Sequence, residues 1–112
     1  MTAARPETGQ PERGDVDRRI AQIRRQMDEV DARLVSLLNE RATYARKIGT
    51  LKDTMGLDVY QPEREIEVLK HVRSKNLGPL GEDAVTRLFE RIIDETRRLE
   101  RSVSQESRPA ID

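Results

Sequence analysis

The sequence contains no cysteine and no tryptophan, with one phenylalanine and two tyrosines. Without cysteine there is no disulfide framework, no thiolate-ligated zinc and no thiol nucleophile. With so few aromatics the core must be aliphatic and thin, so a chain of 112 residues gains by burying surface against another chain. An excess of either charge is also missing, since 21 Lys+Arg face 21 Asp+Glu. That balance excludes a general nucleic-acid binder, which needs a basic excess to displace counterions. No run approaches the ~18 apolar residues of a membrane span. The start, MTAARPETGQPERGD, lacks the apolar stretch of a secretory signal, so the expected location is cytoplasmic. No Gly-rich phosphate loop or Ser-His-Asp set is present. His71 is the single histidine, and its Glu67-x-x-x-His71 spacing is not the paired Glu-x-x-His of di-metal helical bundles. No metal site is expected.

Proline is absent between Pro11 and Pro62. Within that stretch Val16, Ile20, Ile23, Met27, Val30, Leu34 and Leu37 recur at steps of three and four, and the track continues to Tyr44, Ile48 and Leu51. This period predicts one long helix with an apolar seam close to a heptad pattern. Asp15 or Asp17 is its expected N-cap. Arg18-Arg19 and Arg24-Arg25 ahead of heptads suggest a basic zipper only superficially, because Asp28, Glu29 and Asp31 follow at once. Pro62 opens a second helix at the position where its missing N–H costs nothing, with Ile66, Leu69 and Val72 on its apolar side. After the turn Leu77-Gly-Pro-Leu-Gly81 a third helix runs to about Ser104, with Val85, Leu88, Phe89, Ile92, Ile93, Leu99 and Val103 as its stripe. Nothing reads as a strand. The expectation is an all-α chain of three helices over 15–104, flanked by disordered tails at 1–14 and 105–112.

A helix over residues 17–53 is roughly 55 Å long, whereas a compact domain of this size is only about 35 Å across. Its seam overshoots any monomeric globule and needs a cover. A second copy in a two-fold dimer is the simplest one, which makes the expected architecture an intertwined homodimeric helical bundle.

Polar residues interrupt these faces. The first helix places Arg41 and, about three turns on, Lys52 on one side. The second carries Arg64 and Glu65 in its first turn, and the third continues Phe89, Ile92 and Ile93 with Thr96 and Glu100. Cations inside an apolar face call for an anionic partner, and a pocket joining several of them suits a small polycarboxylate or phosphate. Periodicity leaves a plainer alternative open: Arg41 and Lys52 snorkelling to solvent, Glu65 serving the helix dipole, and Thr96 and Glu100 on a wet edge.

The order Ile23-Arg24-x-x-Met27-Asp28-x-x-Asp31-x-x-Leu34-x-x-Leu37-Leu38-x-Glu40-Arg41, Ile48-Gly49-x-x-Lys52, Pro62-x-Arg64-Glu65 and Leu88-Phe89-x-x-Ile92-Ile93 resembles the all-helical chorismate mutase family over about residues 16–104. The resemblance implies an intertwined dimer with two equivalent sites. It implies rearrangement of chorismate to prephenate, on the route to phenylalanine and tyrosine, without metal or organic cofactor. Matched position by position, Arg41 and the partner subunit's Arg24 would bind the substrate carboxylates. Seventeen residues of helix, about 25 Å, separate those two positions on one chain. Lys52 would face the ether oxygen and a carboxylate, and Glu65, beside Arg64, the ring hydroxyl. Thr96 would lie near a carboxylate and Glu100 at the ether oxygen. Gln61 stands where some members carry Asp, and Thr96 where Ser is commoner. Lyases that cleave isochorismate share this scaffold and stand as an alternative activity. A regulatory helical module bound to another enzyme of the same pathway is the non-enzymatic one.

Overall fold

The computed structural model describes residues 12–107, with side chains to Val103. It contains three α-helices and no strand among the described residues: α1 (Arg13–Met55), α2 (Pro62–Lys75) and α3 (Glu82–Ser107). The fold is all-α, as the periodicity indicates. Of the expected tails, 1–11 and 108–112 lie outside the described residues. Residues 13 and 14 at one end and 105–107 at the other are helical rather than tail.

The start of α1 corrects the expected cap. The Val16 amide already donates to the Glu12 carbonyl at 3.0 Å, so Asp15 sits inside the first turn. There its charge complements the helix dipole and pairs with Arg18. The other end of α1 is a Schellman motif: the Leu57 amide donates to the Lys52 carbonyl (2.8 Å) and the Gly56 amide to that of Asp53 (3.2 Å). Gly56 has φ +65°, the left-handed conformation this motif needs and glycine adopts without steric cost. The helix thus ends within a turn of Lys52, and the chain folds back across it.

The chain divides into two compact units, up to Leu38 and from Asn39 onward. In the first, the apolar seam lies open: Ile20, Ile23, Met27, Val30, Leu34 and Leu37 are between 41% and 59% exposed. Such a continuous apolar surface is unusual for a chain that stays alone in water.

In the second unit the buried side of α1 is Ala45 and Gly49, with Arg41 and Lys52 half-buried beside them. Tyr44, Ile48 and Leu51, the expected continuation of the seam, are exposed. Small residues win this face because α3 approaches closely. A Cβ built on Gly49 would lie 3.2 Å from the Glu100 Cα and 3.4 Å from its carbonyl oxygen, and backbone cannot step aside as a flexible side chain can. Gly49→Leu should therefore destabilise the fold by about 1–3 kcal/mol, measured as a lower denaturant midpoint. A midpoint equal to that of the native chain would show the approach to be loose.

On α2 the buried residue is Val68, which faces α3 with Val85. Ile66, expected on the apolar side of α2, and Leu88, expected on the α3 stripe, are 64% and 54% exposed. The α2 stripe is rotated because Glu65, Val68 and Leu69 share the side that packs. Arg73 adds a 3.4 Å bond to the Thr86 hydroxyl across the same pair of helices. Asn76 ties the connecting turn by accepting from the Gly78 amide and donating to the Leu80 carbonyl.

Candidate active site

All three helices of the second unit border one cavity of about 260 Å³. From α1 it takes Arg41, Ala45, Ile48 and Lys52; from α2 and the segment before it, Val59, Gln61, Arg64 and Glu65; from α3, Ile93, Thr96, Arg97 and Glu100. Seven of the eight residues singled out in the sequence are brought together here. Arg24, the eighth, belongs to the first unit and is not among the lining residues.

Each polar group has a definite local reason for its position. The Arg41 guanidinium donates from Nη1 to the Thr96 hydroxyl at 3.2 Å. Thr96 in turn directs its one proton back to the Ile92 and Ile93 carbonyls, at 3.1 and 3.0 Å. Its oxygen is left to accept, so the hydroxyl holds the guanidinium in place. Lys52 Nζ lies 3.2 Å from Glu100 Oε2 and 3.5 Å from the Val59 carbonyl. An ammonium has three N–H donors, so these two partners leave one for a ligand. The Lys52 and Glu100 side chains are only 12% and 14% exposed, so the pair is largely shielded from solvent.

Arg64 and Glu65, neighbours in sequence, part company in space. Arg64 forms an exposed pair with Glu67 at 3.3 Å, while Glu65 pairs with Arg97 of α3. Gln61 precedes Pro62 at the start of α2 without a side-chain capping bond, and its side chain borders the cavity instead.

The cavity has an excess of two positive charges: Arg41, Lys52, Arg64 and Arg97 against Glu65 and Glu100. The pKa of Arg41 is lowered from its ordinary value, first by burial, then by the charge of Arg64, with Glu100 opposing. A guanidinium stays charged at neutral pH regardless. The lowering means that Arg41 carries uncompensated desolvation and repulsion, which a bound anion would relieve. Among the described residues no group of three or more His, Cys, Asp or Glu could hold a metal, and no helix is long and apolar enough to cross a membrane.

Periodicity missed Arg97, Val59 and the packing role of Val68. The signal for Arg97 was present but weak: it stands three residues before Glu100, on the flank of the same helical face. Val59 belongs to the α1–α2 connection, where no period applies.

A three-helix chain with a small cavity carrying two excess positive charges has the shape and charge that a compact dianion would need. Comparison with known proteins sharpens that class. The type II chorismate mutase family model matches residues 23–101, and the chain belongs to that family. It is 40% identical over 89 residues to the bifunctional chorismate mutase/prephenate dehydratase of Neisseria gonorrhoeae, covering 80% of this chain and 24% of that protein. Against the chorismate mutase of Methanocaldococcus jannaschii it is 24% identical over 90 residues, covering 80% of this chain and 91% of that one. A solved chorismate mutase structure from Thermus thermophilus superposes with a TM-score of 0.72 at 34% identity, covering 74% of this chain and 94% of that chain. The chain spans about a quarter of the length of the bifunctional relatives it matches.

Proposed function

We propose that the protein is a chorismate mutase, converting chorismate to prephenate in the cytoplasm for phenylalanine and tyrosine synthesis. The observation that carries this reading is the charge of the cavity. Its excess of two positive charges matches the two carboxylates of chorismate. The rearrangement is pericyclic, moves no proton and needs no nucleophile. Catalysis therefore comes from shape and field. Arg41, held by Thr96, grips one carboxylate and draws the flexible substrate into its compact reactive form, which is the proximity effect. Lys52 offers its remaining N–H to the ether oxygen, where negative charge develops as the C–O bond breaks. Stabilising charge that exists only in the transition state raises the rate. Glu100 stands beside Lys52 as its ion-pair partner and orients the ammonium toward the same oxygen. Glu65 accepts from the ring hydroxyl, with Gln61 and Arg64 nearby. No metal or organic cofactor takes part in this scheme.

The working form is a homodimer. The open seam from Ile20 to Leu37 supports it, with a second copy as the cover and the partner subunit's Arg24 completing each site. A further enzyme of the pathway, acting on prephenate, is the heterologous partner that the bifunctional relatives' names suggest.

The test is the loss of chorismate absorbance with purified protein, with prephenate identified as product. Arg41→Ala should lower kcat/KM at least ~100-fold, the range seen when a preorganised charge donor is removed. Release of salicylate and pyruvate from isochorismate, with chorismate untouched, would instead assign the lyase activity.

A further inference from the structure

We propose that Arg97 is a positioning residue of this site, which holds Glu65 oriented to accept the substrate's ring hydroxyl; the inference rests on the chorismate reading above. Three observations carry it. Arg97 is the partner of Glu65 across α2 and α3, while the adjacent Arg64 turns to Glu67 at the surface. The Glu65 and Arg97 side chains are 31% and 19% exposed, so their pairing is sheltered. The Arg97 guanidinium also lies over the Tyr60 ring, 5.5 Å from its centre, a second contact of the cation–π kind.

Fold stability alone accounts poorly for such a pair. A sheltered ion pair spends most of its attraction on desolvation, and well-packed apolar residues of similar volume often do as well. What apolar residues could not supply is a carboxylate held in one orientation. A substrate hydroxyl that donates to Glu65 needs a carboxylate oxygen held toward it. Arg97 stands where it can fix that orientation: with Glu65 and Ile93 it lines both the 260 Å³ cavity and a second hollow of about 340 Å³. Through Tyr60 it also fastens the α1–α2 connection to α3. Lys52 fastens the same connection at the Val59 carbonyl.

The role predicts an effect confined to one substrate group. Steady-state kinetics would compare chorismate with its analogue carrying hydrogen in place of the ring hydroxyl. For the native protein, chorismate is the better substrate. In Arg97→Gln the preference for chorismate over the analogue should fall about 10-fold, the loss in kcat/KM being that much larger for chorismate. Glu65→Gln should erase a similar share of the preference, and the double variant should lose little more, because both changes act through one contact. Arg97→Lys keeps the charge but not the planar fork and should recover part of the preference; it carries the same test if Arg97→Gln does not fold. Equal losses on the two substrates, or additive losses in the double variant, would overturn the proposal while leaving the mutase reading intact. A native protein that turns over neither substrate removes the mutase reading, and this one with it.

Discussion

Replacing Lys52 by alanine should cut kcat/KM for chorismate by at least ~100-fold, the scale set by removing a donor aimed at developing oxyanion charge. The structure gives reasons for a loss beyond that of one hydrogen bond. Lys52 is the partner of Glu100 at 3.2 Å. Without the ammonium, a carboxylate only 14% exposed faces the incoming dianion, and the cavity's positive excess drops from two charges to one. KM should therefore rise as kcat falls. Glu100→Gln introduced together with Lys52→Ala should recover part of the KM effect, because the uncompensated negative charge is gone, but little of the kcat effect, because the donor at the ether oxygen remains absent. The fold should survive, since Lys52 also ends its helix through a backbone motif that alanine preserves. Circular dichroism and the unfolding midpoint check that point. A change in kcat/KM under threefold would remove Lys52 from the mechanism.

The same residue shows what a sequence can and cannot convey. Helix period placed Arg41 and Lys52 on one side of α1, and both line the cavity. The period also drew a single apolar track through Ile20, Leu34, Tyr44, Ile48 and Leu51. That track records where apolar residues recur, not what covers them. Within this chain none of those five is buried, while the side facing α3 is made of Ala45 and Gly49. Hydrophobic size and burial part company wherever two backbones nearly touch, as at Gly49 and Glu100. Gly49, a residue type that costs a helix stability, is the place where α3 fits. Partner choice was equally illegible. Arg64 and Glu65 are adjacent in sequence, yet one pairs along its own helix and the other across to α3. Only the packing of α2 on α3 decides between those outcomes.

Two inactive variants should restore each other's activity when mixed. Arg24→Ala removes the arginine proposed to act from the partner subunit, and Lys52→Ala removes one acting within its own chain. If each site combines Lys52 of one chain with the partner subunit's Arg24, a dimer of the two variants contains one site with both residues native and one with both absent. Random re-pairing of equal amounts makes half the dimers mixed, so about a quarter of all sites are intact. Activity should return to about a quarter of the native value after co-refolding, from homodimers that are each at or below ~1%. Were Arg24 to act on its own chain's cavity, every site in every combination would lack one residue, and mixing would recover nothing. A monomeric protein would give the same flat result and would elute as a single chain. The open stripe of Ile23, Met27, Val30, Leu34 and Leu37 is the apolar area available for the proposed pairing, since hydrophobic stabilisation grows with the surface removed from water. Leu34→Glu, placing a charge within that stripe, should shift the protein toward monomers and abolish the restoration together with native activity, tying the cavity's chemistry to the association of two chains.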